Sequence, residues 1–151
     1  MNHPGSTDMY HKGSLMLHTL RTLINDDTLW FDILLDISNR FKYQTIDANE
    51  IISYIIDKTG YDLRYFFSQY LTNSNIPEFQ YRLVKEGRNT TLIYRWEAID
   101  GFNMPIIVSS GVKDTWIYPN DEWQELSLGK IDPYDFSIRE DLFLINIKKF
   151  R

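Results

Sequence analysis

From about Met9 to Ile24, apolar residues fall on almost every side of a helical wheel: Leu15, Met16, Leu17, Leu20, Leu23 and Ile24, mixed with His18 and Thr19. Such a pattern predicts a helix buried in a larger body. Asn25-Asp26-Asp27 breaks it, and a second helix begins near Thr28, where Leu29, Ile33, Ile37 and Phe41 recur every fourth residue with Leu34 beside them. Asp47 followed three residues later by Glu50 predicts a capped start for a third helix. Its apolar stripe is Ile51, Ile52, Ile55 and Ile56, and Gly60 stands where a left-handed residue closes a helix. A fourth helix is predicted from Asp62, with Leu63, Phe66, Phe67, Tyr70 and Leu71 on one face. It should stop in Thr72-Asn73-Ser74-Asn75, before Pro77.

Beyond Pro77 the period becomes two. Phe79, Tyr81 and Leu83 alternate with Gln80 and Arg82, and Leu92, Tyr94 and Trp96 alternate with Ile93 and Arg95. Glu86-Gly87-Arg88-Asn89 between them predicts a hairpin turn. Further strands are predicted around Met104–Val108, Asp114–Tyr118, Glu122–Leu126 and Leu142–Lys148. About six short strands separated by frequent turns predict an antiparallel sandwich of immunoglobulin-like character. The expected class is therefore α+β, with a helical segment over residues 1–75 and a β-sandwich over 76–151. The connection Thr72–Pro77 is short, so the two halves should pack on each other.

Composition narrows the function. The 151 residues are 43% hydrophobic and 15% aromatic with net charge −5, a globular balance without the basic surplus of a nucleic-acid binder. With no cysteine, neither a disulfide framework nor a thiolate metal site is possible, and the cellular compartment stays open. No apolar run approaches the ~18 residues of a membrane span, so no membrane association is expected. The start, MNHPGSTDMYHKG, lacks the apolar core of a secretory signal.

The residues that usually carry chemistry are sparse. Of the histidines His3, His11 and His18, the last two lie two helical turns apart, whereas a zinc pair on a helix usually sits one turn apart. The expectation is a surface His11 and a packed or interfacial His18. No H-E-x-x-H and no G-x-S-x-G occurs. Asp26, Asp27 and Asp135 have no carboxylate partner in the pattern, and Ser109-Ser110-Gly111 predicts a strand-end turn. Gly5, Gly13 and Gly60 are too scattered for a phosphate loop. Asn89-Thr90-Thr91 fits a glycosylation sequon in a hairpin turn, a pattern short enough to arise by chance. Residue chemistry alone gives an incomplete enzyme or none.

One segment carries more. Asp8-Met9-Tyr10-His11-Lys12-Gly13-Ser14-Leu15 resembles the Tyr-x-Lys-Gly helix of the M1 family of zinc aminopeptidases, the gluzincins. The resemblance continues in order through Tyr43-Gln44-Thr45-Ile46-Asp47, Thr59-Gly60-Tyr61-Asp62-Leu63 and Phe66-Phe67-Ser68-Gln69-Tyr70-Leu71. Ile76-Pro77, Arg95-Trp96 and Phe102-Asn103-Met104-Pro105 are similar to the small β domain that follows the catalytic domain in many members. The resemblance implies that Tyr10 is catalytic, its phenol donating a hydrogen bond to the oxyanion of the tetrahedral intermediate. It also implies that Gly13 lets the helix approach a neighbour closely, and it leaves Lys12 as a solvated or capping charge.

The family's zinc ligands and its G-x-M-E-N motif, both N-terminal to Tyr-x-Lys-Gly, are absent. The resemblance thus implies the C-terminal portion of a longer peptidase acting on peptide substrates. This portion would have no cofactor of its own, zinc would reside in the parent, and the N-terminal catalytic part would be its missing partner. Alone it should be inert. The alternative is a non-catalytic interaction module of helices plus an immunoglobulin-like sandwich. Under either reading, Leu17, Leu20, Ile24 or Phe41 on an exposed helix face would mark a contact surface, and one route to a homodimer.

Overall fold

A computed structural model describes the backbone of residues 7–151 and the side chains of residues 10–151. The chain forms α1 (Thr7–Ile24), α2 (Asp27–Arg40), α3 (Ala48–Thr59) and α4 (Arg64–Phe67), then seven strands. Asp26 caps α2, its carboxylate accepting the Leu29 N–H at 2.9 Å. Asp47 and Glu50 close the capping box at the start of α3, and Gly60 ends that helix with φ 70°. Tyr54 ties α3 to α2, donating its hydroxyl to Asp36 at 2.6 Å. That bond, and then Lys58, hold the Asp36 carboxyl below its usual range.

The fourth helix differs from the sequence pattern. It starts at Arg64 and widens into a π-turn over Ser68–Thr72. The wider turn rotates the residues that follow. Leu71, expected on the apolar face, is exposed, and Gln69 is buried in its place at 1% exposure. Both ends of the Gln69 amide are bonded: it donates to the Asn75 carbonyl at 2.7 Å and accepts the Ile99 N–H at 3.0 Å. A buried polar side chain thereby clamps the connection to the β half.

The strands are β1 (Glu78–Glu86), β2 (Asn89–Glu97), β3 (Ile106–Ser109), β4 (Asp114–Ile117), β5 (Gln124–Gly129), β6 (Ser137–Ile138) and β7 (Asn146–Lys149). They form two sheets, β5-β2-β1-β7 and β4-β3-β6. β1 and β2 are a hairpin in full register from Glu78↔Glu97 to Glu86↔Asn89. Its two-residue turn begins with Gly87 at φ 61°, a conformation that glycine adopts without steric cost. The β half is a sandwich, as the period predicts, but it is not wholly antiparallel. β7 runs parallel to β1, pairing Glu78 with Asn146 through Tyr81 with Lys149. Alternation encodes which face a side chain takes and says nothing of strand direction; a parallel pair needs a crossover, supplied here by the passage through β6. β3 starts after Pro105, which has no N–H to give a ladder.

One hydrophobic core runs through both halves. Leu20, Ile24, Ile33, Phe66 and Tyr70 from the helices join Phe79, Leu92, Trp96, Phe102, Met104 and Ile106 from the β half. Trp96 anchors it, donating its indole N–H to the Met104 carbonyl at 2.9 Å and meeting Phe79 and Phe102 edge to face. The seam is pinned at Leu144. Its N–H is accepted by Thr19 Oγ1 at 2.8 Å and its carbonyl accepts the Tyr70 hydroxyl at 2.7 Å. Burial pushes the Tyr70 phenol well above its ordinary pKa. Among the described residues, no helix is long and apolar enough to cross a membrane.

Candidate functional site

Tyr10 lies in the first turns of α1 and is 79% exposed. Tyr10, Gly13 and Leu17 follow the i, i+3, i+7 spacing, so they share one face of the helix. Leu17 is exposed. A Cβ built on Gly13 meets no atom within 4 Å. The expected close neighbour of Gly13 is therefore not among the described residues. Lys12, on the opposite side, donates to the Asn73 carbonyl at 3.4 Å, capping the end of the π-turn and fixing α1 against it.

The open face does not stop at α1. One turn beyond Leu17, Arg21 lays its guanidinium 5.3 Å from the centroid of the Phe31 ring and grips Asp27 through two 2.9 Å hydrogen bonds. Phe31, Leu34 and Leu35, at i, i+3 and i+4 on the outer side of α2, are all exposed. Tyr10 is thus at one end of an apolar strip that crosses the α1–α2 hairpin. The strip is not the one expected from the sequence. Leu20 and Ile24 are buried in the core, Phe41 is half-buried against Tyr54, and only Leu17 of the four lies open.

The remaining candidates do not come together. His11 is exposed as expected; of the two alternatives for His18, packed or interfacial, its exposure removes the packed one; His3 lies outside the described residues. Among the described residues, no three His, Asp or Glu side chains gather where a metal ion could sit. Asp26 is a helix cap, Asp27 is paired with Arg21, and Asp135 is a surface residue beside Gly111. Ser109-Ser110-Gly111 is the β3–β4 turn, closed by Ser110 N–H to the Lys113 carbonyl. Asn89 opens β2 at the hairpin and is exposed.

A second concave feature escaped the sequence pattern. The end of α1, the segment before α4 and the rim of β4 enclose a cleft of about 510 Å³, lined by Tyr61, Tyr65, Trp116 and Tyr118 among others. Its parts come from four distant stretches of chain, and the only signal in the sequence was the abundance of aromatic residues.

No protein-family model and no curated protein matches this chain. A solved structure does. Aminopeptidase A of Legionella pneumophila, determined in complex with aspartic acid, superposes with a TM-score of 0.71 at 20% identity. The architecture is shared. The match covers 93% of this chain and 18% of the Legionella chain, so the described fold corresponds to a segment of a much longer protein. The likeness spans helices and β-sandwich together, which makes the unit common to both chains the combined α+β body.

Proposed function

We propose that this chain is the C-terminal portion of an M1-type zinc aminopeptidase, contributing one catalytic side chain, Tyr10, and the scaffold that holds it. The observation that carries the reading is the placement of the Tyr-x-Lys-Gly segment. Its tyrosine and glycine share an open face of a helix whose other side is anchored in the core. The likeness to a segment of an aminopeptidase, at 93% coverage of this chain, supports the same reading.

The chemistry follows from the phenol. When a peptide carbonyl is attacked, its oxygen gains negative charge, and a rigidly held O–H donor favours that state over the ground state. Tyr10 carries its phenol on a helix rather than on a loop, Lys12 ties that helix to Asn73, and the remainder of the longer protein would hold the phenol itself. The described residues do not fit a zinc site. On this reading zinc and the group that activates water would belong to the remainder of the longer protein, and the apolar strip from Tyr10 to Leu35 is the surface on which that remainder would seat. The substrates would be peptides with a free N-terminus.

Two measurements test this. In the longer protein, Tyr10→Phe should lower kcat by roughly 100- to 1,000-fold with little change in KM, the signature of a donor used in the transition state. The isolated chain should bind no stoichiometric zinc and hydrolyse no aminoacyl anilide. Stoichiometric zinc with turnover, or a Tyr10→Phe enzyme of full activity, would overturn the proposal.

A further inference from the structure

The aromatic cleft has no part in the reaction proposed above. Leu23 and Asn25, at its edge, lie about 20 Å along α1 from Tyr10 at 1.5 Å per residue. Its volume of about 510 Å³ is in the ordinary range for a ligand pocket. Leu23, Leu63 and Pro105 give it an apolar floor. Two of its four aromatic rings are braced from behind: Trp116 meets Phe143 edge to face at 6.1 Å, and Tyr65 meets Phe102 at 5.8 Å. Rigid aromatic walls lower the ordering cost of binding.

Its polar groups share one property. The Trp116 indole N–H, the phenols of Tyr61, Tyr65 and Tyr118, and the side-chain amides of Asn25 and Asn103 make no hydrogen bond among the described residues. None is sealed from solvent in that state. Trp supplies a donor only, and the phenols and amides donate as well as accept. The one carboxylate at the rim, Asp62, is already committed to Arg64 through two bonds of 2.8 Å, which hold its pKa at about 2. The cleft is therefore neutral, apolar at its base and rich in free donors. A guest that offers apolar rings and carbonyl acceptors meets the floor, the aromatic walls and the donors together. A sugar would pair its hydroxyls with the phenol and amide acceptors, but would also turn hydroxyls toward the apolar floor of Leu23, Leu63 and Pro105. A proline segment fits on each count: its rings are apolar, its nitrogens bear no hydrogen, and its polyproline II backbone leaves every carbonyl free.

We propose that this cleft binds a proline-rich peptide segment in the polyproline II conformation, through stacking on Tyr61, Trp116 and Tyr118 and donation from the Trp116 indole. Aromatic-lined grooves that present an indole N–H are a recurring solution to this recognition problem.

The test titrates decaproline into the 15N-labelled chain, with a Gly-Ser decapeptide and maltohexaose as the other arms, reading amide and indole N–H shifts. Decaproline should saturate and move the Trp116 indole signal, assigned from Trp116→Phe. The Gly-Ser peptide should not saturate. Tyr118→Ala and Tyr61→Ala remove exposed rings, 68% and 50% accessible, and should keep the thermal midpoint within roughly 2 °C. Together they should weaken decaproline binding by at least about tenfold. Absence of saturation, saturation by maltohexaose alone, or unchanged affinity in the double variant would each overturn the assignment.

Discussion

At Leu144 two side chains of the helical half hydrogen-bond the backbone of the β half, and deleting those bonds is the sharpest test of how the fold coheres. Thr19→Val keeps side-chain shape and deletes the acceptor that holds the Leu144 N–H at 2.8 Å, at a residue with 0% exposure. Leaving a partly buried donor unpaired costs about 1–3 kcal/mol. Tyr70→Phe deletes the donor to the Leu144 carbonyl at 2.7 Å and should cost a similar amount. At roughly 2–4 °C per kcal/mol for a chain of this size, each variant should lose between about 2 and 12 °C in Tm. Both bonds hold one residue in place, so the double variant should lose less than the sum, with a coupling of about 0.5 kcal/mol or more. The assay is urea unfolding followed by tryptophan fluorescence, weighted to the β half by Trp96, Trp116 and Trp123, and by helical circular dichroism. The two signals should move together to lower midpoints in a single transition. Helix loss that separates from the fluorescence change, or an unshifted midpoint in Thr19→Val, would refute the reasoning.

Three further outcomes are expected. Gly13→Ala meets nothing within 4 Å, so the isolated chain should gain about 0.5–1 kcal/mol from helix propensity while the longer enzyme loses activity, because the added methyl would meet the seated remainder; equal activity in the longer enzyme would contradict the seating role. Asp62 has its folded pKa lowered to about 2 by Arg64, so the pair's contribution is present above the unfolded value near 3.9 and is lost as pH falls through about 2; melting curves across that window should be flatter in Asp62→Asn, and an identical slope would rule the pair out. The exposed strip of Leu17, Phe31, Leu34 and Leu35 should drive weak self-association of the isolated chain, visible in sedimentation as a concentration-dependent rise in mass and suppressed by Leu35→Glu; a sharp monomer at high concentration would count against it.

What the sequence disclosed is what local chemistry decides. Asp47 with Glu50 fixes a helix start within one turn, Gly60 fixes an end through its left-handed backbone, and Glu86–Asn89 fixes a hairpin and with it the β1–β2 register. The misreadings all concern choices made at a distance. The direction of β7 depends on where the chain returns, which alternation along Asn146–Lys149 does not record. The π-turn at Ser68 exchanges Leu71 for Gln69 in the core because Asn75 and Ile99 are there to use the amide. α1 carries apolar residues on most sides, so its pattern could not tell which would be covered; the core takes Leu20 and Ile24 and leaves Leu17 open. The motif singled out Tyr10, and its openness came only from the structure. The cleft was illegible because Leu23, Tyr61, Asn103 and Trp116 meet only after folding.

The central claim is that this chain works as part of a longer aminopeptidase. Native protein captured from the source cells with an antibody to this chain tests it most directly, with mass and aminoacyl anilide hydrolysis measured on the same sample. The account predicts a polypeptide several times heavier than 18.0 kDa with chelator-sensitive aminopeptidase activity. A single 18.0 kDa species without that activity would contradict it.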